Sequence, residues 1–342
     1  MSPGGCCSPD SRCCPGRAEP VPSVSTTLSF RDILGLWKAR WGIGRMDYRT
    51  APGLYAVGKP DNASPVLVGA NYTLSFDTLR KNCSGLDCWL LILDTKGINV
   101  WCAAGKGTFG TDELVRRITE TGLAEIVTHR KVIVPQLGAS GVSAHEIARR
   151  AGFSVIYGPV RANDIKSFIL SGCKATREMR TVAFPLWDRL VLTPVELVAS
   201  AKQSLSVFGV LFLLNLFVAR PFGPQDFAVY AGAVFVGAVF TPALLPFIPG
   251  KSFAWKGWLL GLCWTAAALW LFGWFMPGRL LSAAGYLLLL PSVSAYLALN
   301  FTGSSTFTSP SGVLKEMKMA LPLIVGSSLA GVALTLIARM AV

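Results

Sequence analysis

The sequence predicts an α/β domain with a mainly parallel sheet, followed by an all-α transmembrane domain of five helices. Two observations divide the 342-residue chain in this way. Up to about Lys202, charged and apolar residues are mixed, and strand-like runs alternate with helical ones, as in α/β domains. Beyond Lys202 charges nearly vanish, and the apolar segments approach the roughly 20 residues that cross a bilayer.

We predict four segments along the chain. Residues 1–25 form a disordered tail rich in Pro, Ser, Gly and Cys, and residues 26–190 form the α/β domain. Residues 191–202 are a linker, and residues 203–342 are the transmembrane domain. The tail contains paired cysteines that are either incidental or ligands for a soft metal, namely Cys6, Cys7, Cys13 and Cys14.

Hydrophobic periodicity and capping residues predict the elements of the α/β domain. In chain order they are a helix over 29–41, strands over 53–57 and 65–68, a helix over 73–81, a strand over 89–93, a helix over 111–122, strands over 124–127 and 132–134, a helix over 143–150, a strand over 153–157 and a helix over 162–170. Ligands of such sheets bind beyond the carboxyl ends of the strands. The loops after Val68, Asp94, Val134 and Tyr157 are therefore the predicted mouth of a site.

Five apolar spans are predicted to cross the membrane, at 203–219, 227–247, 257–276, 280–299 and 320–338. If the spans alternate in direction, the lysines and the arginines near their ends lie on opposite sides. The lysines are Lys202, Lys251, Lys256, Lys315 and Lys318, and the arginines are Arg220, Arg279 and Arg339. The positive-inside rule then puts the α/β domain in the cytoplasm, beneath the cytoplasmic membrane, and the C-terminus outside. No span carries a charge in its interior, so the bundle is interpreted as an anchor before a transporter.

Net charge and cysteine usage exclude two broad classes. The charge of +13 raises nucleic-acid binding as an alternative, but no basic stripe with interleaved aromatic residues is present, so we expect no nucleic-acid partner. The nine cysteines are not spaced as a disulfide framework, which favours a reducing cytoplasm for the α/β domain.

The stretch from Asn99 to Gly107 is the candidate site, because it places a thiol among small and flexible residues. A P-loop is excluded, since Val100 stands where its first glycine belongs and Gly107 where its Ser or Thr belongs. The segment Gly105–Gly110 does match the G-x-G-x-x-G dinucleotide pattern. However, the preceding strand ends at Asp94, about ten residues earlier than that pattern requires.

The other interpretation is that Asn99 caps a short helix beginning at Val100 and ending near Gly105. Cys102 then lies in the first turn, where the helix dipole favours a thiolate. Ala103 and Ala104 offer a flat surface to a planar partner, and Lys106 lies one turn after Cys102. The simpler alternative is that Cys102 is an ordinary buried apolar residue.

The nine residues Asn99-Val100-Trp101-Cys102-Ala103-Ala104-Gly105-Lys106-Gly107 resemble the signature of HgcA, the family of membrane-anchored corrinoid proteins of microbial mercury methylation. All nine positions match, and the predicted architecture agrees with that family. The resemblance implies an α/β corrinoid-binding domain similar to that of the corrinoid iron–sulfur protein. It also implies that the signature forms a cap helix beneath the corrin ring and that Cys102 is the lower axial ligand of cobalt.

The resemblance further implies the reaction and its partners. The activity is that of a corrinoid-dependent methyltransferase, which moves a cobalt-bound methyl group to Hg(II) and forms methylmercury. A ferredoxin-like protein with two 4Fe–4S clusters is the implied electron donor, and the methyl group comes from the folate-linked one-carbon pathway. Two alternatives stay open, namely a corrinoid methyl carrier with another acceptor and a membrane protein with a dinucleotide-binding domain.

Further candidates to contact the cofactor follow the predicted strands. Asn71, Tyr72 and Thr73 resemble a segment that faces the cofactor in corrinoid iron–sulfur proteins. The other candidates, which are positioned to accept the nucleotide tail of the cofactor, are Gln136, Gly138, Gly158 and Pro159. Each of these residues is otherwise an ordinary part of a loop at the edge of the sheet. Neither His129 nor His145 lies in the Asp-x-His-x-x-Gly motif of histidine-ligated corrinoid proteins, so both are expected to be ordinary domain residues.

Overall fold

The computed structural model describes residues 20–304 and 310–340. Within them the chain divides into two compact units. The α/β unit comprises residues 20–28 and 50–174, and the helical unit comprises residues 29–49, 175–304 and 310–340. Residues 29–49 and 175–190, which the sequence assigned to the α/β domain, are therefore grouped with the helices. The four cysteines of the predicted tail lie outside the described residues.

The α/β unit contains a five-stranded sheet of order β1-β3-β2-β4-β5. The strands are β1 (Gly53–Val57), β2 (Val66–Ala70), β3 (Cys88–Leu93), β4 (Lys131–Val134) and β5 (Ser154–Tyr157). Strands β2 to β5 are mutually parallel, and β1 pairs antiparallel with β3 at one edge. The prediction of an α/β domain with a mainly parallel sheet is confirmed. The central strands β2 and β3 are buried throughout, as their continuous apolar sequences require.

Helices surround this sheet and connect its parallel strands. They are α2 (Thr73–Asn82), α3 (Val100–Gly105), α4 (Thr111–Glu120), α5 (Leu123–Ile126), α6 (Ala144–Ala151) and α7 (Ile165–Leu170). Helices α4 and α6 turn an apolar face to the core through Leu114, Ile118 and Ile147, each of which is buried. The core is thus built from branched aliphatic side chains of the strands and one face of each helix.

One predicted strand is wrong, because residues 124–127 do not join the sheet. They fall mainly in α5, which starts after Gly122, whose φ of 58° is left-handed. Strand β4 already has β2 on one side and β5 on the other, so this segment has no place beside it. A four-residue apolar run does not distinguish a strand from a buried helical turn by periodicity alone.

The prediction of disorder up to residue 25 is also corrected for the described part of that segment. Val24 donates its amide to the carbonyl of Ala56 at 2.9 Å, and Ala56 donates to the carbonyl of Pro22 at 2.9 Å. These bonds occupy the side of β1 that faces away from β3. An edge strand leaves such backbone groups open, and pairing them satisfies both chains.

The helical unit contains the remaining helices. They are α1 (Phe30–Arg40), α8 (Leu186–Leu190), α9 (Thr193–Leu214), α10 (Pro224–Phe235), α11 (Thr241–Leu244), α12 (Phe253–Leu271), α13 (Leu280–Ser304) and α14 (Pro310–Met340). A π-helical segment, Val236–Phe240, joins α10 to α11. The residues predicted as a linker, 191–202, lie largely within α9. In α1, Ser29 accepts from the amide of Asp32, and the Asp32 carboxylate accepts from the amide of Ser29.

Four helical segments among the described residues are long and apolar enough to cross a membrane. They are Leu186–Leu214, Pro224–Leu244, Leu280–Thr302 and Ser311–Met340. The third predicted span, 257–276, overlaps α12, a helix of 19 residues that is not among these four. Its four tryptophans and Lys256 lower its mean hydropathy, which separates it from the other four.

Candidate functional site

The parallel strands end at one edge of the sheet, and the loops that follow them form the candidate site. Strand β2 is followed by Asn71, β3 by Asp94, β4 by Pro135 and Gln136, and β5 by Gly158. The pairing of β2 with β3 and β4, and of β4 with β5, brings these four loops to the same edge. These four loops are the ones that the sequence predicts to form the mouth of a site. Ligands of parallel sheets bind at this edge.

Helix α3 begins in the loop after β3 and is capped as the sequence predicts. The Asn99 side chain accepts a hydrogen bond from the amide of Cys102 at 2.9 Å, which satisfies one of the free amides of the first turn. Cys102 lies in that first turn, and its carbonyl accepts from the amide of Lys106 at 3.1 Å. The short helix therefore fixes the backbone on both sides of the thiol.

The two faces of α3 differ sharply in burial. Ala103 and Ala104 are 0% and 6% exposed and belong to the hydrophobic core, whereas Trp101 and Cys102 are half-buried and Gly105 is exposed. The expectation that the alanine side chains form an exposed flat surface is corrected, because α3 rests with this face directly on the core. The accessible surface of the helix is formed by Gly105 and by the partly exposed Val100, Trp101 and Cys102.

Cys102 differs from the other thiols of the α/β unit in its surroundings. Cys83 and Cys88 are both completely buried and free. A hydrogen bond with Cys83, followed by burial, raises the pKa of the Cys88 thiol. Burial also raises the pKa of Cys173, which lies after α7 and away from the strand ends. Among these cysteines, Cys102 is the partly accessible one at the carboxyl edge of the sheet.

The loop between β3 and α3 is held in place by Asn71. Its Oδ1 accepts from the amides of Thr95 and Gly97, each at 3.0 Å, and its Nδ2 donates to Asp94 Oδ1 at 3.0 Å. The loop needs such support because Lys96 and Gly97 both adopt positive φ angles, 57° and 73°. Asn71 is only 3% exposed, so it acts on the site by positioning this loop.

Glu113 of α4 provides a second support for the same loop. Its Oε1 accepts from the amide of Asp94 at 2.8 Å and from Arg117 Nη2 at 2.8 Å, while Arg116 Nε donates to Oε2 at 2.8 Å. Burial alone would raise the pKa of this carboxyl group, but the hydrogen bonds from Asp94, Arg117 and Arg116 together lower it. The charged Glu113 side chain therefore helps to hold the loop between β3 and α3 in place.

The glycines after Cys102 do not have the context of a dinucleotide site. Gly105 ends α3, Gly107 has a left-handed φ of 79°, and Gly110 precedes α4. The segment therefore connects two helices, whereas the dinucleotide turn connects a strand to a helix. Ala103 secures it by accepting from the amides of Thr108 and Phe109. The dinucleotide alternative is corrected by this arrangement.

Gln136 carries a polar atom that the described protein atoms leave unsatisfied. It begins a short 3₁₀ turn, Gln136–Gly138, which packs against α3. Its backbone amide donates to the carbonyl of Pro159 at 3.4 Å. Its buried side-chain Oε1, however, has no hydrogen-bond partner in the described structure. A buried amide oxygen without a donor is costly, so this atom is a candidate acceptor for a water molecule or a ligand donor.

The other predicted contact residues are engaged within the protein. Tyr72 is buried, and Thr73 Oγ1 lies 3.1 Å from Thr50 Oγ1. A Cβ atom at Gly138 would lie 2.4 Å from the Phe109 ring, and one at Gly158 would lie 2.9 Å from Ile133. These two glycines therefore permit close packing. Pro159 contributes through its carbonyl, which joins the last two strand-end loops.

The two histidines lie apart from the site, as the sequence suggested. His129 Nε2 lies 2.9 Å from the carbonyl of Ser64, and its Nδ1 accepts from the amide of Lys131 at 3.1 Å. Both ring nitrogens are therefore occupied. His145 is exposed on α6.

The α/β unit is similar to subunits of an archaeal enzyme complex. The family model described as "CO dehydrogenase/acetyl-CoA synthase delta subunit" matches residues 40–169. Among the curated relatives is the acetyl-CoA decarbonylase/synthase complex subunit gamma of Methanocaldococcus jannaschii, which is 33% identical over 120 residues, covering 34% of this chain and 24% of the relative. The gamma 2 subunit of Methanosarcina thermophila is 37% identical over 111 residues, covering 31% and 23%.

A third relative, the gamma subunit of Archaeoglobus fulgidus, is 31% identical over 127 residues, covering 36% of this chain and 27% of the relative. The chain spans about a quarter of the length of the relatives it matches. The family match ends at residue 169. It therefore covers the strand-end loops and α3 but not the helices that follow.

The structure adds positioning residues that the sequence did not single out. Thr95 is completely buried, and its Oγ1 lies 2.9 Å from Asn71 Oδ1 and 2.6 Å from the carbonyl of Ile98. Glu113 was assigned only to the start of a helix. The one local signal was Asp94 and Thr95 directly after a buried strand, which is the usual position of site residues in α/β proteins.

Proposed function

We propose that the α/β unit binds a cobalt corrinoid against α3 and that the protein transfers a methyl group from this cofactor to Hg(II). The observation that carries the proposal is the half-buried Cys102 thiol, which lies in the capped first turn of α3 at the carboxyl edge of the sheet. The subunits to which this unit is similar belong to a corrinoid iron–sulfur protein family, and this similarity supports a cobalt corrinoid as the cofactor.

The side chains at the site fit a metal ion that is already coordinated by a cofactor. The described residues contain no group of three or more His, Cys, Asp or Glu side chains that could hold a bare metal ion. A corrinoid would supply most of the cobalt ligands itself, and the Cys102 thiol would be the ligand that the protein contributes. Open space lies beside Gly105 and Gly107, since a Cβ at either would meet no atom within 4 Å. The unsatisfied Gln136 Oε1 can accept a hydrogen bond from a side group of the cofactor.

The residues of this chain hold and orient the thiol. Asn99 keeps the first turn of α3 closed, and Asn71 and Glu113 fix the loop that leads into it. Ala103 and Ala104 seat the helix on the core, so that Cys102 stays at the surface. When bound, a methylated corrinoid supplies the methyl group, and a thiolate ligand on cobalt makes that carbon more electron-rich towards an electrophile such as Hg(II).

The acceptor Hg(II) is proposed from the match of all nine residues, Asn99 to Gly107, to the signature of the mercury-methylation family. Hg(II) is a soft ion and would arrive bound to thiols, since soft metals prefer sulfur ligands. A second candidate function is a corrinoid methyl carrier with another acceptor. The similarity of the α/β unit to acetyl-CoA decarbonylase/synthase subunits favours this candidate.

The partners and location follow from the same proposal. A ferredoxin-like protein with two 4Fe–4S clusters is the proposed electron donor, as the resemblance of Asn99–Gly107 to the mercury-methylation signature implies. The methyl group would come from the folate-linked pathway. The apolar helices would insert in the cytoplasmic membrane with the α/β unit on the cytoplasmic side.

An absorption spectrum of the corrinoid-loaded full chain tests the axial ligand. We expect a thiolate-shifted cobalt band in the wild-type protein and its loss in Cys102→Ala. Cys173→Ala serves as the matched control, because this half-buried thiol lies away from the strand ends. Identical spectra for Cys102→Ala and the wild-type protein would refute the assignment of Cys102.

Methylmercury formation tests the acceptor separately. Cells producing the full chain and a ferredoxin-like donor are expected to form methylmercury from Hg(II), and cells with Cys102→Ala are not. A protein that binds corrinoid with the thiolate band but forms no methylmercury would favour the second candidate, the methyl carrier with another acceptor.

A further inference from the structure

A large apolar groove lies within the helical unit, between α12 and α14, with α13 behind it. Its volume is about 800 Å³. The walls are formed by Trp258 of α12, by Ser292 and Ala295 of α13, and by Ala320 and Leu323 of α14. Small residues on two of the three helices leave this space open.

The groove exists because both outer helices pack closely on α13 and scarcely on each other. On α12, a Cβ at Gly257 would lie 2.5 Å from Ala298 Cβ, and one at Gly261 would lie 2.7 Å from Ser294. On α14, a Cβ at Gly331 would lie 2.7 Å from the carbonyl of Gly285. These glycines hold the helices at the short distance that small residues permit in membrane bundles.

One end of the groove is closed by a direct link between α12 and α14. Glu316 Oε1 accepts from Ser252 Oγ at 2.9 Å and from the amide of Ala254 at 2.8 Å. The same end is lined by Lys251 and Lys315. The ammonium groups of Lys251 and Lys315 outnumber the single carboxylate of Glu316, so this end of the groove has a net positive charge.

The same end also carries the marks of a membrane–water interface. Trp255 and Trp258 both line the groove and stack on each other with ring centroids 5.4 Å apart and planes inclined by 16°. Tryptophan is enriched at the depth of the lipid headgroups, and lysine lies on its aqueous side. The apolar part of the groove, near Ala295 and Leu323, then falls at the depth of the acyl chains.

We propose that this groove is a binding site for one anionic phospholipid. The acyl chains lie along the apolar walls between α12 and α14, and the phosphate lies between Lys251 and Lys315. Basic pockets between membrane helices bind anionic headgroups in this manner. The site rests on the proposed insertion of the helical unit in a membrane and not on methyl transfer, so the two proposals fail independently.

The test uses the full chain in a mild detergent, with phosphatidylglycerol or phosphatidylcholine added and retained lipid counted by native mass spectrometry. We expect one phosphatidylglycerol to be retained in preference to phosphatidylcholine. The double variant Lys251→Gln/Lys315→Gln is expected to bind phosphatidylglycerol about 30-fold more weakly, since each lysine near a headgroup contributes about fivefold. Lys202→Gln is the control, because Lys202 is exposed on α9 outside the groove.

A second variant tests the groove without changing its charge. Ala320→Leu, at a partly exposed alanine of α14 that lines the groove, narrows it and is expected to displace the lipid while Lys251 and Lys315 remain. Equal retention of both lipids, an equal loss in Lys202→Gln, or full retention in Ala320→Leu would each overturn the proposal. Methylmercury formation, measured on the same preparations, reports separately on the proposed function.

Discussion

Polar side chains position a loop in the α/β unit, whereas small residues set the distance between helices in the helical unit. Asn71 and Glu113 accept hydrogen bonds from backbone amides of the loop between β3 and α3. In the helical unit, Gly257, Gly261 and Gly331 instead allow α12 and α14 to approach α13. A site for chemistry needs a backbone held to a fraction of an ångström, and directional hydrogen bonds supply this. Helix packing in lipid needs only close contact.

The largest expected effect concerns Cys102, where the α/β unit is proposed to meet its cofactor. Cys102→Ala should abolish methyl transfer and lower corrinoid affinity by more than about 100-fold, which exceeds the effect of losing an outer partner of a metal ligand. Affinity is measured by titrating the purified full chain with corrinoid. The helical unit should be unaffected, so the variant should remain in the membrane fraction. An unchanged corrinoid affinity in Cys102→Ala would contradict the proposal that the α/β unit binds its cofactor through this thiol.

The next effect concerns the loop support in the α/β unit. Asn71→Leu leaves the amides of Thr95 and Gly97 without their acceptor in a buried site and should lower the free energy of unfolding of this unit by about 3 kcal/mol. Chemical denaturation followed by tryptophan fluorescence measures it. Asn82→Leu is the control, because the Asn82 side chain donates to a helix carbonyl at an exposed position. A similar loss in both variants would contradict the role of Asn71.

A corresponding change in the helical unit adds volume where helices touch. A Cβ at Gly285 would lie 2.3 Å from Thr335 Oγ1 and 2.9 Å from the carbonyl of Gly331, so Gly285→Ala should destabilise the contact of α13 with α14 by about 2 kcal/mol. The midpoint of thermal unfolding in detergent measures this effect. Gly326→Ala, where no atom lies within 4 Å of the added Cβ, is the control. The corrinoid spectrum should be identical in both variants.

A smaller effect is expected at the cap of α3. Asn99→Ala removes the acceptor of the Cys102 amide and should cost about 1 kcal/mol. Because the cap fixes the turn that carries the thiol, corrinoid affinity should fall by about fivefold, as the same titration would measure. Asn99→Asp keeps a capping oxygen and should restore the affinity. Failure of the aspartate variant to do so would show that capping is not the role of Asn99.

The smallest expected effect is the pH dependence contributed by Glu113. Its folded-state pKa is lowered, so its charged form stabilises the α/β unit at pH values above the ordinary carboxyl pKa, and this stabilisation is lost as the pH falls through the folded-state pKa. The difference in the free energy of unfolding between wild type and Glu113→Gln should therefore be largest at pH 7 and should shrink as the pH falls below the ordinary carboxyl pKa of about 4.3. Glu125→Gln, at a side chain of α5 that carries no such bonds, should follow the wild-type curve. A constant difference across this range would contradict the assignment.

Local patterns in the sequence predicted much of the fold and the centre of the site. The strands β2 and β3, the Asn99 cap and the first-turn position of Cys102 all follow from neighbouring residues, because buried strands and helix caps depend on side chains a few positions apart. Residues 124–127 were wrongly predicted as a strand, because a four-residue apolar run is too short to distinguish the periodicity of a strand from that of a helix. Asn71 was predicted to face the cofactor, and the structure shows that its buried side chain holds the loop after β3.

By itself, the sequence determined that an α/β domain precedes apolar helices and that a thiol follows the third strand in a short capped helix. These features are encoded by periodicity, composition and residues close along the chain. Only the tertiary structure decided that Ala103 and Ala104 face the core, that Asn71 and Glu113 support one loop, and that a groove separates α12 from α14. Each of these depends on elements that are distant in sequence and meet only when the chain packs, so no local pattern records them.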